Sequence, residues 1–217
     1  ARRRESRVLT SCVLSELYLS EEPVYFFDEC AFSMQDFSRK VWTHKEHVEE
    51  LEIYHPTLTL KLLVVVNRDR LIAFSLSEDH FSSSEVLDFL AAFLQRERGK
   101  WPKKARPYVV LDNAPKNRSR ALKKLACKSA ITLTYITPTT PQHNFAENFF
   151  FKVKKSFTQL NNLQLINVAD DPTARIFTLV LACLRMPTPA SFTPLQKIYI
   201  AGLASLMPQV SELGLLK

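Results

Sequence analysis

The chain has 217 residues, 46% hydrophobic and 24% charged, a composition that folds into a core and excludes a disordered tract. No apolar run reaches the roughly 18 residues of a membrane span; LKLLVVVNR, the longest, ends in charge, so no membrane partner is expected. A net charge of +7 favours an anionic partner, and nucleic acid is the commonest large one.

The four cysteines, Cys12, Cys30, Cys127 and Cys183, are scattered without a C-x-x-C pair. That usage suits a reducing compartment and gives no zinc-finger spacing. His44 and His47 form an H-x-x-H without the glutamate or cysteine of a zinc site, and read as a solvated face.

In chain order, residues 5–19 carry Val8, Leu9, Cys12, Val13 and Leu17 at helical spacing, so a helix is expected before the first strand. The ARRRESR start adds a basic arm to it, and its arginines leave an organelle-targeting segment open. VYFFDE reads as a short buried strand that ends at Asp28. The mixed stretch from Ala31 to Pro56 reads as a hairpin and loop anchored by Trp42. Leu60 to Leu76 predicts two strands joined by a turn at Asn67–Arg70.

The period then changes. Val86, Phe89, Leu90, Phe93 and Leu94 share one helical face, with Ser83 or Ser84 as N-cap and Gly99 then Pro102 as the stop. A strand at 108–112, a helix at 119–128 and a strand at 132–136 follow. The loop TPTTPQHN carries two prolines that cannot donate to a ladder. A helix then presents Ala146, Phe149, Phe150, Val153 and Phe157 on one face, with Asn144 as N-cap and Glu147 at its third position. A last long helix buries Ile176, Leu179, Val180 and Cys183, and short helical pieces fill 186–217.

This order predicts an α/β fold: a mixed sheet with helices on both faces. The expected organisation is one domain over 1–217, with a helix or basic arm over 1–20 and a helical extension over 186–217. In such sheets ligands gather beyond the carboxyl ends of the parallel strands. Asp28 and Asp112 are expected at such ends, and Glu147 starts a helix reached by a short loop from the next strand.

Three motifs carry a family resemblance. FFDECAF, YVVLDNA and ITPTTPQHNFAENFFFKVKK resemble the acid motifs of the mariner-like DDE transposases and their bacterial insertion-sequence relatives. The 34 residues between Asp112 and Glu147 also match the gap used by a large part of that superfamily. The likeness runs from the helix before VYFFDE to about Phe157. The chain departs from the family at Asn117, where His is usual, and at Phe145, where Pro is common. No helix-turn-helix DNA reader is evident.

The resemblance implies a ribonuclease H-like fold and a catalytic and metal-binding triad of Asp28, Asp112 and Glu147. Asp28 would bridge two ions, Asp112 would bind one and Glu147 the other. Oxygen donors without thiolate favour Mg²⁺ or Mn²⁺ over zinc. Lys154, about two helical turns after Glu147 and on the same face, is placed to hold a phosphate. Lys152, Lys155, Lys116 and Arg118 are candidates for sequence-independent DNA contacts.

The implied activity is cleavage at transposon ends and joining of the freed 3′-hydroxyl to target DNA, by a homodimer on DNA. A eukaryotic protein of this kind would work in the nucleus and a bacterial one in the cytoplasm or nucleoid. The competing readings are a domesticated, catalytically silent descendant serving in a larger complex, and another ribonuclease H-like nuclease. The phenylalanines at 149–151, exposed-looking in sequence, motivate the former.

Overall fold

Five runs of alternating side chains build a single mixed sheet in the order β3–β2–β1–β4–β5. A computed structural model describes residues 2–33, 59–137, 140, 143–162 and 172–185. Trp42, His44 and His47, most of the predicted 31–56 hairpin, and the 186–217 extension lie outside the described residues.

The elements are α1 (Arg2–Leu19), β1 (Val24–Ser33), β2 (Thr59–Val66), β3 (Leu71–Ser77), α2 (Ser83–Glu97), β4 (Tyr108–Leu111), α3 (Arg120–Ser129), β5 (Thr132–Tyr135), α4 (Phe145–Asn162) and α5 (Pro172–Arg185). β1, β2 and β3 are antiparallel neighbours, while β1, β4 and β5 run parallel. No helix among the described residues is long and apolar enough to cross a membrane.

Because strand side chains alternate, each strand feeds two cores. Val24, Phe26 and Phe32 of β1, Leu62 and Val64 of β2 and Val110 of β4 pack with α1, α4 and α5. Tyr25, Phe27, Leu63, Val65, Val109 and Leu111 pack on the other face, with α2 and the Leu122 side of α3.

Most helical faces lie where the spacing puts them. α4 buries Ala146, Phe149, Phe150, Val153 and Phe157, and α5 buries Ile176, Val180 and Cys183. α2 buries Val86, Leu90, Phe93 and Leu94, but its N-cap is Ser82, one residue before the expected serines. The Ser82 and Glu85 side chains cap each other's backbone, an arrangement that fixes the helix start.

Two expectations are corrected. α1 buries Val8, Ser11, Leu14, Leu17 and Tyr18, while Leu9 and Val13 face outward. The 3.6-residue period fits both stripes, and the sheet selects the one that carries Tyr18 and a hydrogen-bonded Ser11. β1 does not stop at Asp28 but continues to Ser33, because β2 pairs with it along its whole second half. Its parallel pairing to β4 stops earlier, at Phe26 with Val110. Asp28 therefore sits mid-strand, where β1 loses its β4 neighbour.

Phe149 is fully buried beneath α4 whereas Phe151 on the same helix is 70% exposed. Phe149→Ala should cost about 3–5 kcal/mol in urea denaturation, and Phe151→Ala less than about 0.5 kcal/mol. Equal effects would mean that α4 docks by another face.

Candidate active site

Strand alternation sends the two aspartates to one side. Phe26 and Val110 belong to the core under α4, so Asp28, two residues further along β1, and Asp112, one residue past the end of β4, are directed by the same alternation to that face. α4 brings the third. Its Phe145 ring lies 5.7 Å from that of Phe26, and its Phe157 ring 5.5 Å from that of Phe32. Twelve helical residues rise about 18 Å and six strand residues about 20 Å, so the helix runs alongside β1 in the same direction. Glu147, two residues after Phe145, is exposed at the start of α4 and near enough for its charge to act on Asp28.

Asn144 locks this register. Its Nδ2 donates to Asp28 Oδ2 at 2.9 Å, while its Oδ1 accepts from the Ala146 N–H at 3.1 Å. One amide thus caps α4 and holds the first acid. The preceding residue, His143, is fully buried and contacts Ser11 Oγ of α1 through Nε2 at 2.7 Å. Burial, then the charge of Arg7, lowers its pKa to about 4, so it is neutral at physiological pH. Thr10 of α1 also meets Thr137 at 2.6 Å, which fastens α1 to the loop entering α4.

Asp112 leaves β4 into a turn of its own making. Its Oδ1 accepts from the Ala114 N–H at 3.1 Å and from the Asn117 side-chain amide. Asn117, where the resembled family has His, is buried and also receives the Tyr135 hydroxyl on its backbone carbonyl at 2.9 Å. Asn117 and Asn144 are the site residues whose roles the sequence did not show. The N-cap position of Asn144 and the fifth position after Asp112 were visible, but their partners were not.

The carboxylates feel one another. Asp28 is pushed up to about 7, first by burial and then by the charges of Glu147, Asp112 and Glu29, against the pull of the Glu29 N–H. Glu147 is raised by burial, pulled back by Lys154 and raised again by Asp112. Among the described residues no three His, Cys, Asp or Glu side chains are gathered closely enough to hold an ion. Both Asp28 oxygens and one Asp112 oxygen are held by N–H donors that keep these carboxylates in place. Carboxylate oxygens such as those of Asp28, Asp112 and Glu147 are the donor type that suits hard divalent cations.

The expected DNA contacts divide. Lys154 lies against the sheet on the acid face, its Nζ 5.9 Å from the Phe32 ring centroid and within the field of Glu147. Lys155 is exposed on α4 and Lys152 is partly buried there. Lys116 is instead paired with Glu29, and Arg118 donates to Asn113 Oδ1 with its guanidinium 5.6 Å from the Tyr135 ring centroid. These last two brace the turn after Asp112. Cys30, two residues beyond Asp28, lies close enough to Lys154 and both acids to sense them, and burial raises its thiol pKa.

With this geometry in place, the comparisons identify the class. The description DDE superfamily endonuclease matches residues 23–166, and the chain belongs to that family. Its ribonuclease H-like fold is similar to the Mos1 transposase catalytic domain solved with Raltegravir and Mg. The TM-score is 0.65 at 13% identity, over 94% of this chain and 95% of that one. It is also similar to a pre-cleavage Mos1 transpososome, with a TM-score of 0.67 at 16% identity, over 94% of this chain and 63% of that one. For the Mos1 Strand Transfer Complex the TM-score is 0.68 at 14% identity, over 96% and 61%. No curated protein matches the sequence.

The raised Asp28 pKa has a definite sign. Between an unfolded value of 3.8 and a folded value of about 7 the native state binds the extra proton, so rising pH through that window destabilises the fold. In EDTA, the stability of Asp28→Asn relative to wild type should improve by roughly 3–4 kcal/mol from pH 4 to pH 8. Parallel pH–stability curves for the two proteins would contradict the burial of this charge.

Proposed function

We propose that the chain is the catalytic core of a DNA transposase that cleaves transposon ends and joins the freed 3′-hydroxyl to target DNA. What supports this reading is that the charges of Glu147 and Asp112 both bear on the largely buried Asp28 carboxyl. Membership of the DDE endonucleases and a fold like that of Mos1 support it. Two Mg²⁺ or Mn²⁺ ions, when bound by these acids, would activate a water or a 3′-hydroxyl and stabilise the leaving oxygen.

The protein's own residues have separable tasks. Asp28 and Asp112, on adjacent parallel strands, offer carboxylate oxygens from a rigid floor, and Glu147 offers one from the helix above. Asn144 and Asn117 aim Asp28 and Asp112 with neutral amides, which leaves their negative charge available for cations. Lys154 stands beside Glu147 on the same face, placed to hold a backbone phosphate next to the reacting one. Lys152 and Lys155 extend that contact along α4. Two copies bringing two ends together would form the working assembly, an arrangement supported by likeness to a Mos1 paired-end complex with left transposon end.

The silent-descendant reading loses one of its motives. Of the three phenylalanines at 149–151, two are core residues and only Phe151 is exposed.

The test is nicking of a duplex carrying the terminal repeats that flank the protein's own gene, using the full-length protein with Mg²⁺ or Mn²⁺. Asp112→Ala and Glu147→Ala should each lower the rate by at least about a hundredfold while duplex binding in EDTA persists. Absence of nicking by the wild-type protein would favour the silent descendant. Faster cleavage of an RNA–DNA hybrid or a junction would favour another ribonuclease H-like nuclease.

A further inference from the structure

The chain's positive charge is not spread evenly along the sequence. Residues 96–128 hold twelve Lys and Arg against two acids, Glu97 and Asp112, a net +10 in a chain of +7. The remainder is therefore net negative. Within this segment four cations are engaged: Arg96 and Lys100 with Glu97, Lys116 with Glu29, and Arg118 with Asn113. The other eight make no ion pair among the described residues.

These eight form two connected groups. Leu122 and Ala126 turn one side of α3 into the core of the face opposite the acids, which leaves Arg120, Lys123, Lys124 and Lys128 exposed on the other. No acid lies on this helix. The loop before β4 exposes Arg98, Lys103, Lys104 and Arg106. It is held in shape by Trp101, whose Nε1 donates to the Tyr25 hydroxyl at 2.7 Å, and by an Ala105 N–H to Pro102 carbonyl bond of 2.9 Å. The end of α3 returns beside this loop, since the Thr132 N–H donates to the Pro107 carbonyl at 2.9 Å.

We propose that α3 and the 98–106 loop form a second, sequence-independent contact surface for duplex DNA, distinct from the Lys152–Lys155 side of the acid site. This deepens the transposase reading and takes from it the identity of the anion. Arg120 to Lys128 spans about 12 Å, roughly three to four phosphates of one strand. α3 starts eight residues after Asp112, capped by Ser119 directly after Arg118, and its cations run from that end of the sheet toward the start of β5 on the face opposite the acids. An anionic membrane fits less well: the large exposed hydrophobics among the described residues are Leu9, Val13, Leu19, Phe74 and Phe151, none on this surface.

The test measures equilibrium binding of a fluorescent random-sequence duplex by the full-length protein in EDTA, across a salt series. Lys123→Gln/Lys124→Gln/Lys128→Gln should reduce the slope of log K against log salt by about 2–3, and Lys103→Gln/Lys104→Gln by about 1–2. All five side chains are exposed, so thermal melting should be unchanged and would expose any folding defect. Asp112→Ala should keep the wild-type slope. Unchanged slopes in both surface variants overturn the proposal, as does loss of binding only to phosphatidylserine vesicles. If the wild type nicks nothing but the slopes fall as expected, the surface stands and the catalytic reading falls; nicking with unchanged slopes is the reverse.

Discussion

The register of α4 on β1 is the constraint from which the site follows. Two aromatic pairs, Phe26 with Phe145 and Phe32 with Phe157, fix where the helix lies along the strand. Helix and strand cover nearly the same distance between these pins, so neither element must bend to keep Glu147 within electrostatic reach of Asp28. A slip of one helical residue would turn Glu147 by about 100° away from the strand, since a turn takes 3.6 residues. The apolar pins thus set a polar geometry.

Holding acids there is unfavourable, and the surroundings show how the fold tolerates it. Asp28 is raised mainly by burial, with other acids adding to the effect. Each well-buried phenylalanine contributes roughly 1.5–3 kcal/mol, so the aromatic layer of α4 offsets a carboxylate penalty of similar size. The donors to the acids are also telling. Asp28 and Asp112 are held by amides and backbone N–H groups. An arginine in those places would fix the carboxylates equally well but would neutralise them. The nearby cations Lys116 and Arg118 are instead directed to Glu29, Asn113 and Tyr135. The site stays electron-rich because the fold sends most of the local positive charge elsewhere.

Much of this was legible in sequence, for reasons that also explain the misses. The α4 face, the β2–β3 turn and the strand before Asp112 follow from local period and turn chemistry. The three acids stand out in sequence because motif order and spacing are properties of the chain itself. Asp28 was placed at a strand end because an acid after four apolar residues resembles a terminus. β1 continues past it because β2 supplies partners from 26 to 34 residues away. The α1 helix was legible, but which of its apolar residues face the sheet was not, because Leu9 and Val13 are as apolar as Leu14 and only the position of the sheet separates them. Lys116 looked like a DNA contact because its partner, Glu29, lies 87 residues distant. Pairings of that kind have no local signature.

The two faces of the sheet carry opposite electrostatic characters, and the sheet itself keeps them apart. The acids open toward α4, while the cations of α3 and its neighbouring loop project from the opposite layer. Sheet and covering helices together place about 10 Å or more of apolar packing between the layers. That is comparable to the Debye length at physiological salt, so little of the cationic field reaches the acids through solvent. Were the same lysines set beside Asp28, they would lower its pKa and compete with any divalent ion for its oxygens. Separation by the core keeps the cationic side of α3 apart from the largely buried Asp28 carboxyl. The charge asymmetry within the sequence, +10 in 96–128 against a negative remainder, is this division in one dimension.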